Sequence, residues 1–142
     1  MGYSHYWDIG INSKGWKDAL QATQKIIKNS PVPLADWDGL GEIDSELVSG
    51  VYLNGVDPDG CETFYIPLSP DGSGFHCCKT RGRKYDAVVT AILCAFNHFC
   101  PEFDPRSDGG IQDWELGRQL ASNAIGCEVE MPSQIHIRDS YR

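Results

Sequence analysis

Apolar positions along this chain recur first with a helical period. Trp16, Ala19, Leu20, Thr23 and Ile27 fall on one face of a helix predicted over 14–28, with Ser13 as its N-cap. Asn29-Ser30-Pro31 ends it, because proline lacks the N–H that would continue the ladder. After a loop carrying Pro33, Gly39 and Gly41 the period changes to two. Strands are predicted over 47–53, 61–68 and 74–79, with turns at Asn54-Gly55 to Gly60 and at Ser69-Pro70-Asp71-Gly72. In the second strand Glu62, Phe64 and Ile66 share one face, and Thr63 and Tyr65 the other. The span 85–99 is apolar nearly all round, through Val88, Val89, Ala91, Ile92, Leu93, Ala95, Phe96 and Phe99. That predicts a central helix covered on several sides. Pro101 and Pro105 close it. A third helix, over 113–124, turns Trp114, Leu120, Ala121 and Ala124 inward and stops at Gly126. Residues 128–131 are expected to add an edge strand.

One helix, three sequential strands and two further helices predict the α+β class: a small antiparallel sheet of three or four strands, with about three helices packed on one face. There is no repeat and no linker, so a single domain is expected over 1–132, with a polar tail over 133–142. At 142 residues such a domain buries most of its apolar surface without metal or disulfide support.

Charge narrows the partners. The net charge of -8 argues against a general nucleic-acid binder, which needs a broad basic face, and against docking on an anionic membrane. No apolar run is long enough to span a bilayer, and the opening Met1-Gly2-Tyr3-Ser4-His5-Tyr6 lacks the layout of a signal peptide. A myristoylation reading of Gly2 fails, because Tyr6 stands where Ser or Thr is required. A cytoplasmic protein is expected. The six cysteines then read as free thiols, since Cys77 and Cys78 are adjacent and Cys94 lies inside an apolar helix.

Against that acidic background, Lys79, Arg81, Arg83 and Lys84 place four of the twelve basic residues within six positions. Gly82 lets the backbone bend, Thr80 adds a hydroxyl, and the run leads from a strand into a helix whose first N–H groups favour negative charge. Arginine forks suit phosphate or carboxylate. The glycine spacing and lysine position are not those of a Walker A motif. The plainer alternative is a solvated charged turn.

Several separated stretches together resemble a family of small proteins found in phages, bacteria and fungi. They are Met1 to Trp7, Leu53-Asn54-Gly55-Val56 with Glu62-Thr63-Phe64, the block Phe75-His76-Cys77-Cys78-Lys79-Thr80 running into Lys84-Tyr85-Asp86-Ala87-Val88-Val89, and Ser107-Asp108-Gly109 with Trp114. Cys77 departs from the family pattern, as does Arg83-Lys84 in place of a lysine-proline pair. The resemblance carries no activity over. It implies placement: His5, Tyr6, Asn54, Lys79, Thr80, Tyr85 and Asp108 converging around the basic loop. In a phage, a protein of this size would work in the host-cell cytoplasm against defence, for instance by sequestering a nucleotide immune signal.

The expected function is therefore binding of a phosphorylated, nucleotide-like small molecule, with no cofactor and no metal. Lys79, Arg81, Arg83 and Lys84 would neutralise phosphate, Thr80 and Asn54 would hydrogen-bond it, and Tyr6 or Tyr85 would pack against a ring. A homo-oligomer would be one way to deepen such a pocket. One rival is a small enzyme on an anionic substrate, with Cys78 as a thiolate lowered by Lys79, His76 or His5 as base, and Asp86 or Asp108 orienting it. The other is an acidic interaction module that inhibits a host protein, since 36–62 carries eight carboxylates and no Lys or Arg. His76, Cys77, Cys78, Cys94 and His98 lack zinc-ligand spacing. The stretch 36–47 departs from a calcium loop at Leu40 and Leu47. Trp16, Trp37 and Trp114 read as packing residues.

Overall fold

Residues 3–137 are described by the computed structural model of this chain. Its first element was not expected. His5, Trp7 and Ile9 point inward while Tyr6 and Asp8 point out, and this alternation makes 4–9 a strand, β1 (Ser4–Ile9). The remaining elements are α1 (Trp16–Lys28), β2 (Leu34–Ala35), β3 (Val51–Gly55), β4 (Phe64–Ile66), β5 (Gly74–Lys79), α2 (Asp86–Phe99), β6 (Arg106–Ser107) and α3 (Ile111–Ile125). The protein is α+β, and the described residues form three helices and two three-stranded antiparallel sheets where one sheet was expected. The first sheet runs β5-β1-β6, with Ser4 opposite Lys79, Tyr6 opposite Cys77 and Asp8 opposite Phe75. The second runs β2-β3-β4, with Tyr52 opposite Tyr65.

α2 packs against both α1 and α3, and Val88 through Phe96 are buried without exception. The apolar faces of β1, β3 and β4 join the same core through Trp7, Ile9, Val51, Leu53, Phe64 and Ile66. Two glycines permit the helices to approach. A Cβ at Gly117 would lie 2.0 Å from the Thr90 hydroxyl. One at Gly15 would lie 1.9 Å from the Phe99 carbonyl oxygen. Gly15, at φ 80, is the N-cap of α1, and Ser13 contributes only its carbonyl, which accepts the Trp16 N–H at 3.1 Å. The close helix crossing, not a hydroxyl cap, fixes where α1 begins.

Three other boundaries differ from the sequence reading. The strand expected over 47–53 starts at Val51, because Leu47 (φ 57) and Gly50 (φ 110) form a turn. Asp44 stabilises that turn by accepting the Glu46 and Val48 N–H groups. The strand expected over 61–68 shortens to Phe64–Ile66. Residues 128–131 form no strand: the Val129 N–H donates to Ser122 and its carbonyl accepts from Arg118, tying the segment to α3. Within the polar tail expected over 133–142, Ser133, Gln134, His136 and Ile137 are exposed, while Ile135 is buried and the His136 carbonyl accepts the Ile111 N–H. Residues 138–142 lie outside the described residues, as do Met1 and Gly2.

Candidate functional site

The basic run is a tight turn between β5 and α2. The Thr80 and Arg81 N–H groups both donate to the Tyr3 carbonyl, at 3.1 and 3.2 Å. Arg83 N–H closes the turn onto the Thr80 carbonyl, and Asp86 N–H onto that of Arg83. Arg81 (φ 56) and Gly82 (φ 67) are both left-handed. For a non-glycine residue that costs about 1–2 kcal/mol, which the surrounding bonds must hold. Arg81, Arg83 and Lys84 are exposed and Lys79 is half-buried. Among the described residues no carboxylate forms an ion pair with any of the four; the described pairs involve other residues.

Behind the turn sits a buried polar hub. Asp86 Oδ1 accepts the Thr80 hydroxyl and the His5 Nε2 proton, each at 2.6 Å. With its proton on Nε2, His5 accepts at Nδ1 from the Ser107 hydroxyl, 2.7 Å away. The Ser107 oxygen in turn accepts the Gly109 N–H at 2.9 Å. Trp114 and Tyr3 meet the imidazole edge-on. The order hydroxyl, imidazole, carboxylate is that of a nucleophile relay. Here, however, His5 has no exposed surface and every member is committed internally, so the hub reads as an anchor. It also alters the expectation for the start of α2: the negative charge favoured there is Asp86 itself.

The sequence-derived candidates thus separate by role. His5 and Thr80 are brought to the turn as its supports. Tyr85 is buried, its hydroxyl donating to the Glu62 carbonyl at 2.7 Å, so its ring is packed into the core. Asn54 lies in the other sheet. It donates to the Trp37 and Cys61 carbonyls and accepts from the Gly55 and Cys61 N–H groups, which uses its capacity for shaping the 54–61 turn. Lys84 and Tyr85 border a hollow of about 180 Å³ with Pro33, Gly55, Val56, Asp57 and Asp59.

Tyr6 and Lys79 belong to a different surface. Strand alternation puts Lys79, Cys77 and Phe75 on the outward side of β5, beside Tyr6 on β1. Tyr6 and Phe75 stack at 6.0 Å, and Phe75 is 61% exposed. Asp108 holds the Tyr6 hydroxyl at 3.2 Å and accepts the Ser4 N–H at 3.0 Å. Partial burial, reinforced by that carboxylate, raises the Tyr6 pKa above its ordinary value. Phe75, Asp86 as hub and Ser107 were not singled out as site residues from sequence. The 4–9 alternation was the one available signal, since it brings 5, 75 and 107 to a common sheet.

Cys78 is buried and donates to the Glu62 carbonyl; burial above all pushes its thiol up to about 12. A thiolate nucleophile at this position has lost its premise. His76 faces Ser73 at 2.6 Å and stacks on Trp7. Among the described residues no group of three or more His, Cys, Asp or Glu is placed to hold a metal ion, and no helix is long and apolar enough to cross a membrane. In the native protein a thiol reagent at pH 8 should titrate the exposed Cys77 and Cys127 first. Cys78, Cys94 and Cys100, all buried with raised pKa values, should react only on unfolding. Fast reaction of all six would contradict this packing. No family model matches the chain, and no curated protein or solved structure matches it either.

Proposed function

We propose that this chain binds a phosphorylated, nucleotide-like small molecule on the outward face of the β5-β1-β6 sheet. One observation carries the reading: an open Tyr6–Phe75 aromatic stack lies on the same strand face that leads, through Lys79, into cations that pair with no carboxylate among the described residues. Lys79 lies four positions beyond Phe75, about 13 Å along an extended strand. A stacked base with its phosphates directed toward Arg81 and Arg83 fits that span. Base–aromatic stacking is worth about 1–3 kcal/mol, and hydrogen bonds to charged groups about 1.5–3 kcal/mol each. In a phage such a protein would hold a host nucleotide signal away from its receptor.

The test is retention. Purified protein is incubated with a nucleotide panel that includes cyclic and ADP-ribose-type compounds, washed, denatured and its small molecules analysed by mass spectrometry. Intact compound is expected. Phe75→Ala should weaken binding about tenfold, and Lys79→Ala with Arg83→Ala about a hundredfold, in line with those contact energies. Release of altered compound would mean an enzyme. Failure of every phosphorylated compound to bind, or indifference to these substitutions, would sink the proposal.

A further inference from the structure

A second surface stands apart from the basic turn and has the opposite character. Asp36, Trp37, Glu42, Asp44, Ser49, Gly50 and Tyr52 line an open groove of about 350 Å³ between the 36–44 turn and β3. Trp37 is 60% exposed, although indoles usually find cover, and Tyr52 is 39% exposed. Tyr52 is the outward residue of β3 between buried Val51 and Leu53, and it packs on Tyr65 at 4.7 Å.

Trp37 is displayed from a fixed backbone. Its carbonyl accepts both the Asn54 amide and the Thr63 hydroxyl. On either side of it the Gly39 N–H donates to the Asp36 carbonyl, and the Asp57 N–H to that of Gly39. The ring is therefore held out while its main chain is tied down, the arrangement of an anchor residue at an interface.

The chemistry of the rim selects the occupant. Asp36, Glu42 and Asp44 make no ion pair among the described residues, and 36–62 contains no Lys or Arg. An aromatic face attracts a cation, and a guanidinium suits both the ring and the carboxylates. An apolar partner would strand those carboxylates without water. A small cation would leave Leu40 (76% exposed) and Val48 (74%), on the same loop, uncovered. A peptide carrying basic and apolar residues in turn satisfies both.

We propose that this groove docks a basic segment of a partner protein, seating an arginine or lysine side chain against Trp37 and Tyr52, with Asp36, Glu42 and Asp44 offsetting its charge. None of the groove's lining residues belongs to the proposed nucleotide surface.

Trp37 supplies its own reporter. The other tryptophans, Trp7, Trp16 and Trp114, are at most 5% exposed, so a solvent-sensitive change in indole emission arises at the groove. The intact chain is titrated with a short synthetic peptide of alternating arginine and leucine, labelled so that anisotropy gives affinity when Trp37 is replaced. Saturable binding with altered emission, weakened by added salt, is expected. Trp37→Ala and Glu42→Gln should each weaken it about tenfold, as loss of a cation–π or charge contact predicts. Glu102→Gln, an exposed carboxylate elsewhere, should leave it unchanged. No binding, or equal losses from Glu42→Gln and Glu102→Gln, would overturn the proposal by reducing it to net charge. Displacement by spermine as effective as by the peptide would also overturn it, in favour of a small-cation site.

Discussion

Replacing Asp86 with alanine should lower the unfolding free energy by about 3–5 kcal/mol, the scale of breaking a buried polar pair and leaving its partner uncompensated. His5 and Thr80 are fully buried and both direct protons at Asp86 Oδ1. Neither has water to turn to when the oxygen is removed. The loss would spread beyond one residue, because the hub joins β1, the basic turn and α2, and reaches β6 through Ser107. Asp86→Asn keeps an oxygen in place and should cost less than half as much. Equilibrium urea unfolding measures both. A double-mutant cycle with His5→Ala should be clearly sub-additive, since each single change already breaks the shared bond. A cost under about 1 kcal/mol for Asp86→Ala would mean the network is far less important than its burial implies.

The second large effect is expected at Gly15. An alanine Cβ there would stand 1.9 Å from the Phe99 carbonyl oxygen and 2.6 Å from its carbon, at φ 80. Left-handed strain contributes about 1–2 kcal/mol and forced repacking about 1–3 kcal/mol. A total near 3 kcal/mol corresponds to a fall in Tm of about 10 °C for a chain of this size. Gly126→Ala separates the two terms. Gly126 has a similar φ of 87 but nothing within 4 Å of its ideal Cβ, so only the strain should appear. Equal melting temperatures for the two variants would show that α1 and α2 do not approach as closely as described.

The parts of the fold legible in sequence were those with long, one-signed patterns. The apolar run of α2 placed that helix to within a residue, and β5 was bounded correctly at both ends. β6, with two residues, carries no periodicity to read. β1 carries a full alternation, but the sequence reading uses it only for a family resemblance and so lacks the central strand of one sheet. The start of α1 was misplaced because its determinant is the tertiary contact of Gly15 with Phe99, invisible to local capping rules. The basic turn was legible as charge. The roles of its neighbours were not, because a buried hydroxyl and an exposed one look alike in sequence. Thr80 became a support only when folding brought Asp86 and His5 within reach. Tyr85 has the residue type expected of a ligand platform but occupies a core position.

The placement of β1 also bears on how the chain comes to be made. It is the middle strand of its sheet, yet its partners are β5 and β6, reaching as far as Ser107. At a synthesis rate of about 5–20 residues per second, the roughly hundred residues between Ser4 and Ser107 take about 5–20 s to appear. Until β5 has emerged, Trp7 and Ile9, later among the best-buried side chains, have no partner strand, and the sheet is complete only once Ser107 has appeared. The growing chain therefore carries β1 as an unpaired, half-apolar strand until β5 is made, a natural target for chaperones and a site of early aggregation.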